Sequence, residues 1–206
     1  MIVLSDTVET RARAATLIAE GKVVAFLTDT FYGLGVDPFN PRAIGRLKAV
    51  KGREDNKPIL VIVSDLSVAE RLVAEKTEAF KSLVAAHWPG PLTLVARARA
   101  EVPPDLTAQT GTIGVRLPAD EAVREFLRAC GGALTATSAN PAGLDPARTA
   151  SEVSSYFSEG LALIVDGGAT RAAQPSTVVD VCGEAARLIR EGELSWEELR
   201  ITLREN

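Results

Sequence analysis

Histidine and cysteine are scarce in this sequence. The chain has 206 residues, and among them are one histidine, His87, and two cysteines, Cys130 and Cys182. The cysteines form no CxxC pair and no histidines surround them, so neither a zinc site nor a disulfide framework is predicted. A Ser-His-Asp type of catalysis would depend on His87 alone.

Long apolar runs and an excess of positive charge are also missing. The longest apolar stretches, at 23–27 and 59–63, are too short to cross a bilayer, and the N-terminus lacks the basic-then-apolar pattern of a signal peptide. We therefore expect a cytoplasmic protein with no membrane contact. The net charge of −4 disfavours binding of RNA or DNA mainly through bulk electrostatics, although a local basic site is compatible with it.

What is present is the composition of a folded protein. Hydrophobic residues make up 46% of the chain and charged residues 24%, and no linker or internal repeat divides it. We predict one domain over residues 1–206. Strand-like runs sometimes alternate with helices and sometimes follow one another, so the predicted fold is α/β, with a single mixed, twisted sheet and helices on its faces. The predicted strands are 22–27, 58–63, 92–96, 113–117, 133–137, 161–165, 177–181 and 186–189.

Polar loops between these elements are candidates for a functional site. The glycine-containing segment 31–38 is predicted as a loop that follows the strand ending in Thr28-Asp29-Thr30. The segment 99–111 is long, polar and contains proline, so we expect it to be a mobile or functional segment that does not pack in the core, and 138–148 is a second candidate functional loop.

Positive side chains occur beside turns and strand ends. Lys51, Arg53 and Lys57 lie in one charged segment, Arg116 ends an otherwise apolar run, and Arg190 precedes Glu191-Gly192. Arginine binds carboxylate or phosphate through paired hydrogen bonds and lysine neutralises phosphate, so these cations suit a small anionic ligand. Solvated surface charge explains the same pattern, and the residues alone leave both interpretations open.

Hydroxyl and amide groups follow the predicted strand at 133–137. The tripeptide SAN at 138–140 places them beside backbone N–H groups, a pattern that holds phosphate or ribose oxygens and that also occurs in simple turns. Thr30 and Ser176 leave the same two interpretations open. The P-loop and GxGxxG nucleotide signatures are absent.

Eight short segments together resemble the YrdC/Sua5 family. They are TDTFYGLG at 28–35, KGR at 51–53, WPGPLT at 88–93, GVRLP at 114–118, SAN at 138–140, DGG at 166–168, STVVD at 176–180 and REG at 190–192. Each is weak alone, but their number and order are specific. The family's nucleotide signature pairs a KxR with a later SxN, and this chain has both.

The resemblance implies a YrdC-like fold and a nucleotidyltransferase. Such an enzyme joins L-threonine, bicarbonate and ATP into threonylcarbamoyl-adenylate, releases pyrophosphate, and thereby supplies the t6A modification of tRNA. Mg²⁺ would accompany ATP, and neither a general base nor a protein-bound metal is implied. The residues implied for ATP are Lys51, Arg53, Lys57, Thr112, Ser138, Asn140 and Arg190. Those implied for threonine are Thr30, Arg116 and Ser176, with Arg116 as the partner of its carboxylate.

Some positions depart from the family pattern. Leu27 stands where the family often has proline, Asp29 where it often has glutamate, Ile62 where many members have histidine, and Lys57 where asparagine is common. The chain resembles the short form of the family. That form implies separate partner proteins that transfer the threonylcarbamoyl group to tRNA, with only weak direct contact to tRNA.

Two other functions are compatible with the resemblance. A non-catalytic YrdC-like protein would bind RNA or associate with the ribosome, although the intact SxN and the negative net charge argue against it. A carbamoyl-adenylate enzyme would use carbamoyl phosphate, as the YrdC-like part of hydrogenase-maturation proteins does. Those proteins are much longer and carry zinc-finger-like cysteines, which this sequence lacks.

Overall fold

A computed structural model of the chain describes residues 1–52 and 58–204. Helices and strands both occur throughout, so the predicted mixed α/β class is confirmed. The helices are α1 (Val8–Ala19), α2 (Pro41–Lys51), α3 (Leu66–Glu70), α4 (Glu78–His87), α5 (Pro104–Thr107), α6 (Glu121–Ala129), α7 (Ala150–Tyr156) and α8 (Trp196–Arg204). The strands are β1 (Ile2–Ser5), β2 (Val23–Leu27), β3 (Tyr32–Gly35), β4 (Val61–Val63), β5 (Leu92–Arg97), β6 (Thr112–Arg116), β7 (Ala133–Thr135), β8 (Thr137–Ser138), β9 (Leu161–Asp166), β10 (Thr177–Asp180) and β11 (Arg187–Arg190).

The described strands form two sheets instead of the single sheet predicted. One has the order β1-β9-β2-β3-β8, and the other has the order β11-β10-β5-β6-β4-β7. Both are mixed: β2 pairs with β9 in parallel and with β3 antiparallel, while β5 pairs with β10 in parallel and with β6 antiparallel. Sequence patterns indicate that a segment is a strand, but its sheet is decided by partners far away in the chain.

The predicted strand 133–137 shows this most clearly, because it is divided between the two sheets. β7 pairs with β4 in the six-stranded sheet, and β8 pairs with β3 in the five-stranded sheet. Ala136 alone separates them, and its N–H donates to the carbonyl of Leu60 at 2.9 Å. The chain therefore crosses from one sheet to the other within a single residue.

Two loop predictions are wrong in part. Residues Tyr32–Gly35 of the predicted loop 31–38 form the strand β3. The sequence did not indicate this strand, because two of its four residues are glycine, which is depleted in strands. The segment 99–111, predicted to be mobile or functional and not packed, contains α5, and Val102, Leu106 and Thr107 within it are buried. That segment packs in the core because it supplies apolar side chains to it.

The core is continuous between the sheets. Buried residues of β3, β5 and β6, among them Leu34, Leu94 and Val115, belong to one hydrophobic cluster. A second cluster lies around α1 and α6, where the rings of Phe26 and Phe126 stack at 4.9 Å. No helix within the described ranges is long and apolar enough to cross a membrane.

Candidate functional site

A cavity of about 660 Å³ is lined by residues of both sheets. Six of the residues singled out from the sequence contribute to its lining, although they come from five separate parts of the chain. They are Thr30, Thr112, Arg116, Ser138, Ser176 and Arg190. The folding of the chain thus brings most of the predicted site into one place.

The six-stranded sheet supplies one wall of the cavity by simple strand alternation. Thr112, Gly114 and Arg116 of β6 line the cavity, whereas Ile113 and Val115 point into the hydrophobic core. Gly114 leaves this wall open in the middle. A Cβ placed there would lie 3.4 Å from both Leu60 and Thr93, so any larger side chain would take up cavity space.

Arg116 is a buried cation at this wall. Its Nη1 donates to Oδ1 of Asp29 at 2.5 Å, and the two side chains are only 4% and 9% exposed. Its Nε is buried and has no hydrogen-bond partner among the residues that the structure describes. A buried donor without an acceptor is costly, so this edge of the guanidinium is suited to receive oxygen atoms of a ligand.

Arg190 adds a second positive charge to the same cavity. Its Nη2 donates to the backbone carbonyl of Ser176 at 2.8 Å, and it forms no ion pair with any described residue. Partial burial, together with the positive charge of Arg116, lowers the pKa of Arg190. An arginine stays protonated despite such a shift, so Arg190 remains a cation that can bind an anionic ligand.

Buried hydroxyl groups complete the polar lining. The Oγ1 atoms of Thr28 and Thr30 lie 3.1 Å apart, and Oγ of Ser176 lies 2.9 Å from Oγ1 of Thr93. All four side chains belong to residues that are at least nine-tenths buried and that line the cavity. Each hydroxyl can both donate and accept, so the pairs can turn toward a ligand's amine, hydroxyl or carboxylate.

Lys51 is bound to the SAN turn and does not itself line the cavity. Its Nζ donates to the carbonyl oxygen of Ser138 at 2.5 Å and to Oδ1 of Asn140 at 2.9 Å, and it also contacts the carbonyl of Asn140. The two halves of the KxR and SxN pattern are therefore in direct contact. Of the turn itself, Ser138 reaches the cavity wall while Asn140 lies behind it, held by a hydrogen bond to the carbonyl of Leu144.

Two predicted ATP residues, Arg53 and Lys57, lie outside the described residues. Their assignment to the nucleotide remains a prediction from the sequence. Within the described residues no group of three or more histidine, cysteine, aspartate or glutamate side chains is placed to hold a metal ion.

Sequence reasoning missed three side chains that shape the site. Asp29 pairs with Arg116, Thr93 pairs with Ser176, and the hydroxyl of Tyr32 donates to the carbonyl of Gly168 at 2.7 Å. Burial raises the pKa of Tyr32, which stays a neutral donor. The signal for all three was their place in segments that carry the family resemblance, TDTFYGLG for Asp29 and Tyr32 and WPGPLT for Thr93, but no local pattern shows which residues they contact.

The two candidate functional loops, 99–111 and 138–148, differ in their relation to the cavity. Segment 138–148 contributes Ser138 and Pro146 to the cavity, whereas none of the cavity's described lining residues comes from 99–111. The expectation for 99–111 is therefore wrong, because Leu106 of that segment is buried in the core.

His87 lies away from this chemistry. It ends α4, and its Nε2 lies 2.9 Å from Oγ1 of Thr202 on α8. We expect His87→Ala to change the rate of ATP-dependent pyrophosphate release by no more than about twofold, because partly exposed side chains away from a site contribute little. A steady-state assay of the purified variant checks this. If the rate of a folded variant fell by more than tenfold, His87 would have to be counted among the catalytic residues.

The fold and the cavity define a mixed α/β protein with two arginines and several hydroxyl groups in one cavity, a lining whose chemistry suits small anionic ligands. The Sua5/YciO/YrdC family model, described as telomere recombination, matches residues 16–192. The chain therefore belongs to the Sua5/YciO/YrdC family, and the resemblance found in the sequence is confirmed.

Two relatives that share the same name match most of this chain. A threonylcarbamoyl-AMP synthase of Pyrococcus abyssi is 36% identical over 90% of this chain and 55% of its own length. A protein of the same name from Chromobacterium violaceum is 35% identical over 86% of this chain and 91% of its own length. The chain thus spans little more than half of the first relative and most of the second.

Solved structures agree with the fold. The crystal structure of P. abyssi Sua5 complexed with L-threonine matches with a TM-score of 0.92 and 33% identity, over 98% of this chain and 60% of that chain. The crystal structure of Escherichia coli YciO matches with a TM-score of 0.83 and 23% identity, which is a likeness of fold alone.

Proposed function

We propose that this chain is a threonylcarbamoyl-AMP synthase that forms its product from L-threonine, bicarbonate and ATP and releases pyrophosphate. The observation that carries the proposal is the cavity in which Arg116, whose Nε has no partner among the described residues, and Arg190 lie together with the four buried hydroxyl residues described above. Such a cavity suits one small carboxylate and one larger phosphate ester. The names of the relatives support the same activity.

The threonine end of the cavity is assigned to Arg116, Thr30 and Ser176. Arg116 offers a buried guanidinium edge that fits a carboxylate, and both hydroxyl residues lie in the same lining. The P. abyssi structure complexed with L-threonine, whose fold matches nearly the whole chain, supports threonine as the ligand of this cavity.

The nucleotide end is assigned to Ser138, Thr112 and Arg190, supported from behind by Lys51 and Asn140. Arg190 lacks a carboxylate partner among the described residues and is suited to a phosphate oxygen. Lys51 fixes the backbone of the SAN turn through its hydrogen bonds, so that the turn is preorganised before ATP arrives. Arg53 and Lys57 are assigned to the same phosphates on sequence grounds.

The proposed reaction has two steps. The amine of threonine adds to the carbon of bicarbonate-derived carbon dioxide and gives a carbamate, and a carbamate oxygen then attacks the α-phosphorus of ATP while pyrophosphate leaves. Arginine and lysine stabilise the negative charge that moves onto the leaving phosphates, and Mg²⁺ bound to ATP neutralises part of it. The main contribution of the cavity is to hold a labile carbamate in line with the α-phosphate and to keep water away.

The proposed product also defines the partners. Threonylcarbamoyl-AMP is a reactive mixed anhydride, so a separate transfer protein must take the threonylcarbamoyl group and deliver it to tRNA. The negative net charge fits a chain that needs little direct contact with tRNA. The cytoplasm is the compartment that this function implies.

The experiment that tests the proposal measures pyrophosphate release from ATP and Mg²⁺ by the purified chain. L-Threonine and bicarbonate are supplied together, and each is omitted in turn. We expect release only when both are present, with threonylcarbamoyl-AMP as the second product by mass spectrometry.

Other outcomes would replace the proposal. A folded protein that binds ATP but releases no pyrophosphate, and that binds RNA in a strongly salt-dependent way, would be the non-catalytic RNA-binding member of the family. Release with carbamoyl phosphate, but not with threonine and bicarbonate, would indicate the carbamoyl-adenylate reaction.

A further inference from the structure

Asp29 is held from two sides at the edge of the cavity. Its Oδ1 accepts from Nη1 of Arg116 at 2.5 Å, and its Oδ2 accepts from the backbone N–H of Ala119 at 3.2 Å. Both carboxylate oxygens are therefore used within the protein. The ion pair joins the loop after β2 to the last residue of β6, 87 positions away, and the bond from Ala119 adds the segment that follows β6.

The guanidinium of Arg116 has more donors than Asp29 takes. An arginine carries five N–H donors in one plane, and a carboxylate ligand uses two neighbouring donors on one edge. Asp29 binds at Nη1, while Nε on another edge is buried and unpartnered among the described residues. One edge is thus fixed to the protein, and a different edge is left for a ligand.

We propose that Asp29 is a positioning residue for amino-acid recognition. It holds Arg116 by Nη1 so that the Nε edge faces the substrate carboxylate, and it does not itself touch the substrate. The identity of the substrate as L-threonine rests on the proposed function. A buried arginine without this anchor would keep its charge but lose its orientation, because its long side chain has several free torsions.

A purely electrostatic role for Asp29 predicts the opposite effect. Its negative charge lies beside the site of another carboxylate, so removing it would strengthen threonine binding if charge alone mattered. The direction of the change in affinity therefore separates positioning from repulsion.

The test compares the binding of L-threonine and L-threonine amide, which lacks the carboxylate, by isothermal titration calorimetry. For Asp29→Ala we expect the dissociation constant of threonine to rise by about tenfold or more, as for the loss of a hydrogen bond to a charged group. The dissociation constant of the amide should rise less than about twofold, because the amide does not depend on the same charged contact. Asp29→Asn keeps one acceptor oxygen for Arg116, so its dissociation constant for threonine should lie between the values of the wild type and Asp29→Ala.

Controls keep the outcomes distinct. Asp6→Ala removes an aspartate from another arginine pair, Asp6 with Arg11 at 2.7 Å, and should leave the binding of both ligands unchanged. Equal weakening of threonine and its amide, or tighter threonine binding, would overturn the positioning role. If Asp29→Ala does not fold, Asp29→Asn carries the same comparison. A wild-type chain that binds no threonine would instead overturn the proposed function, and with it the substrate of this site.

Discussion

Lys51→Ala is expected to lower ATP-dependent pyrophosphate release by about a hundredfold or more, the scale of losing a preorganised group at a charged transition state. The substitution removes the ammonium group that binds Ser138 and Asn140, so the SAN turn loses its support together with a positive charge. The fold should be retained, because Lys51 is the last residue of α2 and Gly52, in a left-handed conformation, caps the helix. Steady-state rates and a thermal unfolding curve of the same sample provide the measurement.

Lys81→Ala is the matched control for this prediction. Lys81 is an exposed lysine on α4 whose ion-pair partner among the described residues is Glu78 on its own helix, and such pairs contribute little. Near-normal turnover in Lys51→Ala would contradict the assignment of Lys51 and the SAN turn to the nucleotide site. The same loss of activity is expected for Arg53→Ala, and normal turnover there would remove the KxR segment from the phosphate site.

Gly192→Ala should damage both the stability and the threonine end of the cavity. A Cβ at this position would lie 2.2 Å from the carbonyl oxygen of Pro175 and 2.8 Å from the backbone of Ser176, so the chain at Ser176 must move. Overpacking of this kind costs about 1–3 kcal/mol or more, which lowers the midpoint of thermal unfolding by about 3–10 °C in a chain of this size. We also expect the KM for threonine to rise, because Ser176 lines the cavity.

Gly45→Ala shows whether the effect comes from the site or from any added methyl group. Gly45 lies within α2, and a Cβ there meets nothing within 4 Å. Alanine in the middle of a helix is favoured over glycine by about 0.5–1 kcal/mol, so this variant should unfold at the same or a slightly higher temperature. An unchanged KM and midpoint in Gly192→Ala would show that Gly192 does not control the position of Ser176.

Local sequence signals predicted the parts of the fold that depend on neighbours in the chain. Thr7 caps α1, and Thr149 caps α7 by accepting from the N–H of Glu152, as their spacing indicates. Trp88, a large apolar residue beside the prolines of the WPGPLT segment, is 9% exposed and donates to the carbonyl of Leu92 at 2.7 Å. These interactions span few residues, so their patterns are visible in a short window of sequence.

The candidate site was predicted less completely, because it depends on contacts between distant segments. The cations and hydroxyls were visible as residue types at strand ends, and the resemblance to a family selected among them. Asp29 gave no sign of its pairing with Arg116, since nothing local connects the two. The contact between Lys51 and the SAN turn likewise spans 87 positions, so no local sequence pattern predicts it.

Because Ala136 alone connects β7 to β8, the number of residues between Thr135 and Ser138 determines where Ser138 lies in the site. β8 pairs with β3 through Ser138 opposite Gly33 and Thr137 opposite Leu34, while β7 is already committed to β4. One inserted residue would shift Ser138 along β3 by about 3.3 Å, the rise of one strand residue, and carry it away from the ammonium of Lys51. Insertions and deletions between Thr135 and Ser138 should therefore be poorly tolerated, because they would separate Ser138 from Lys51.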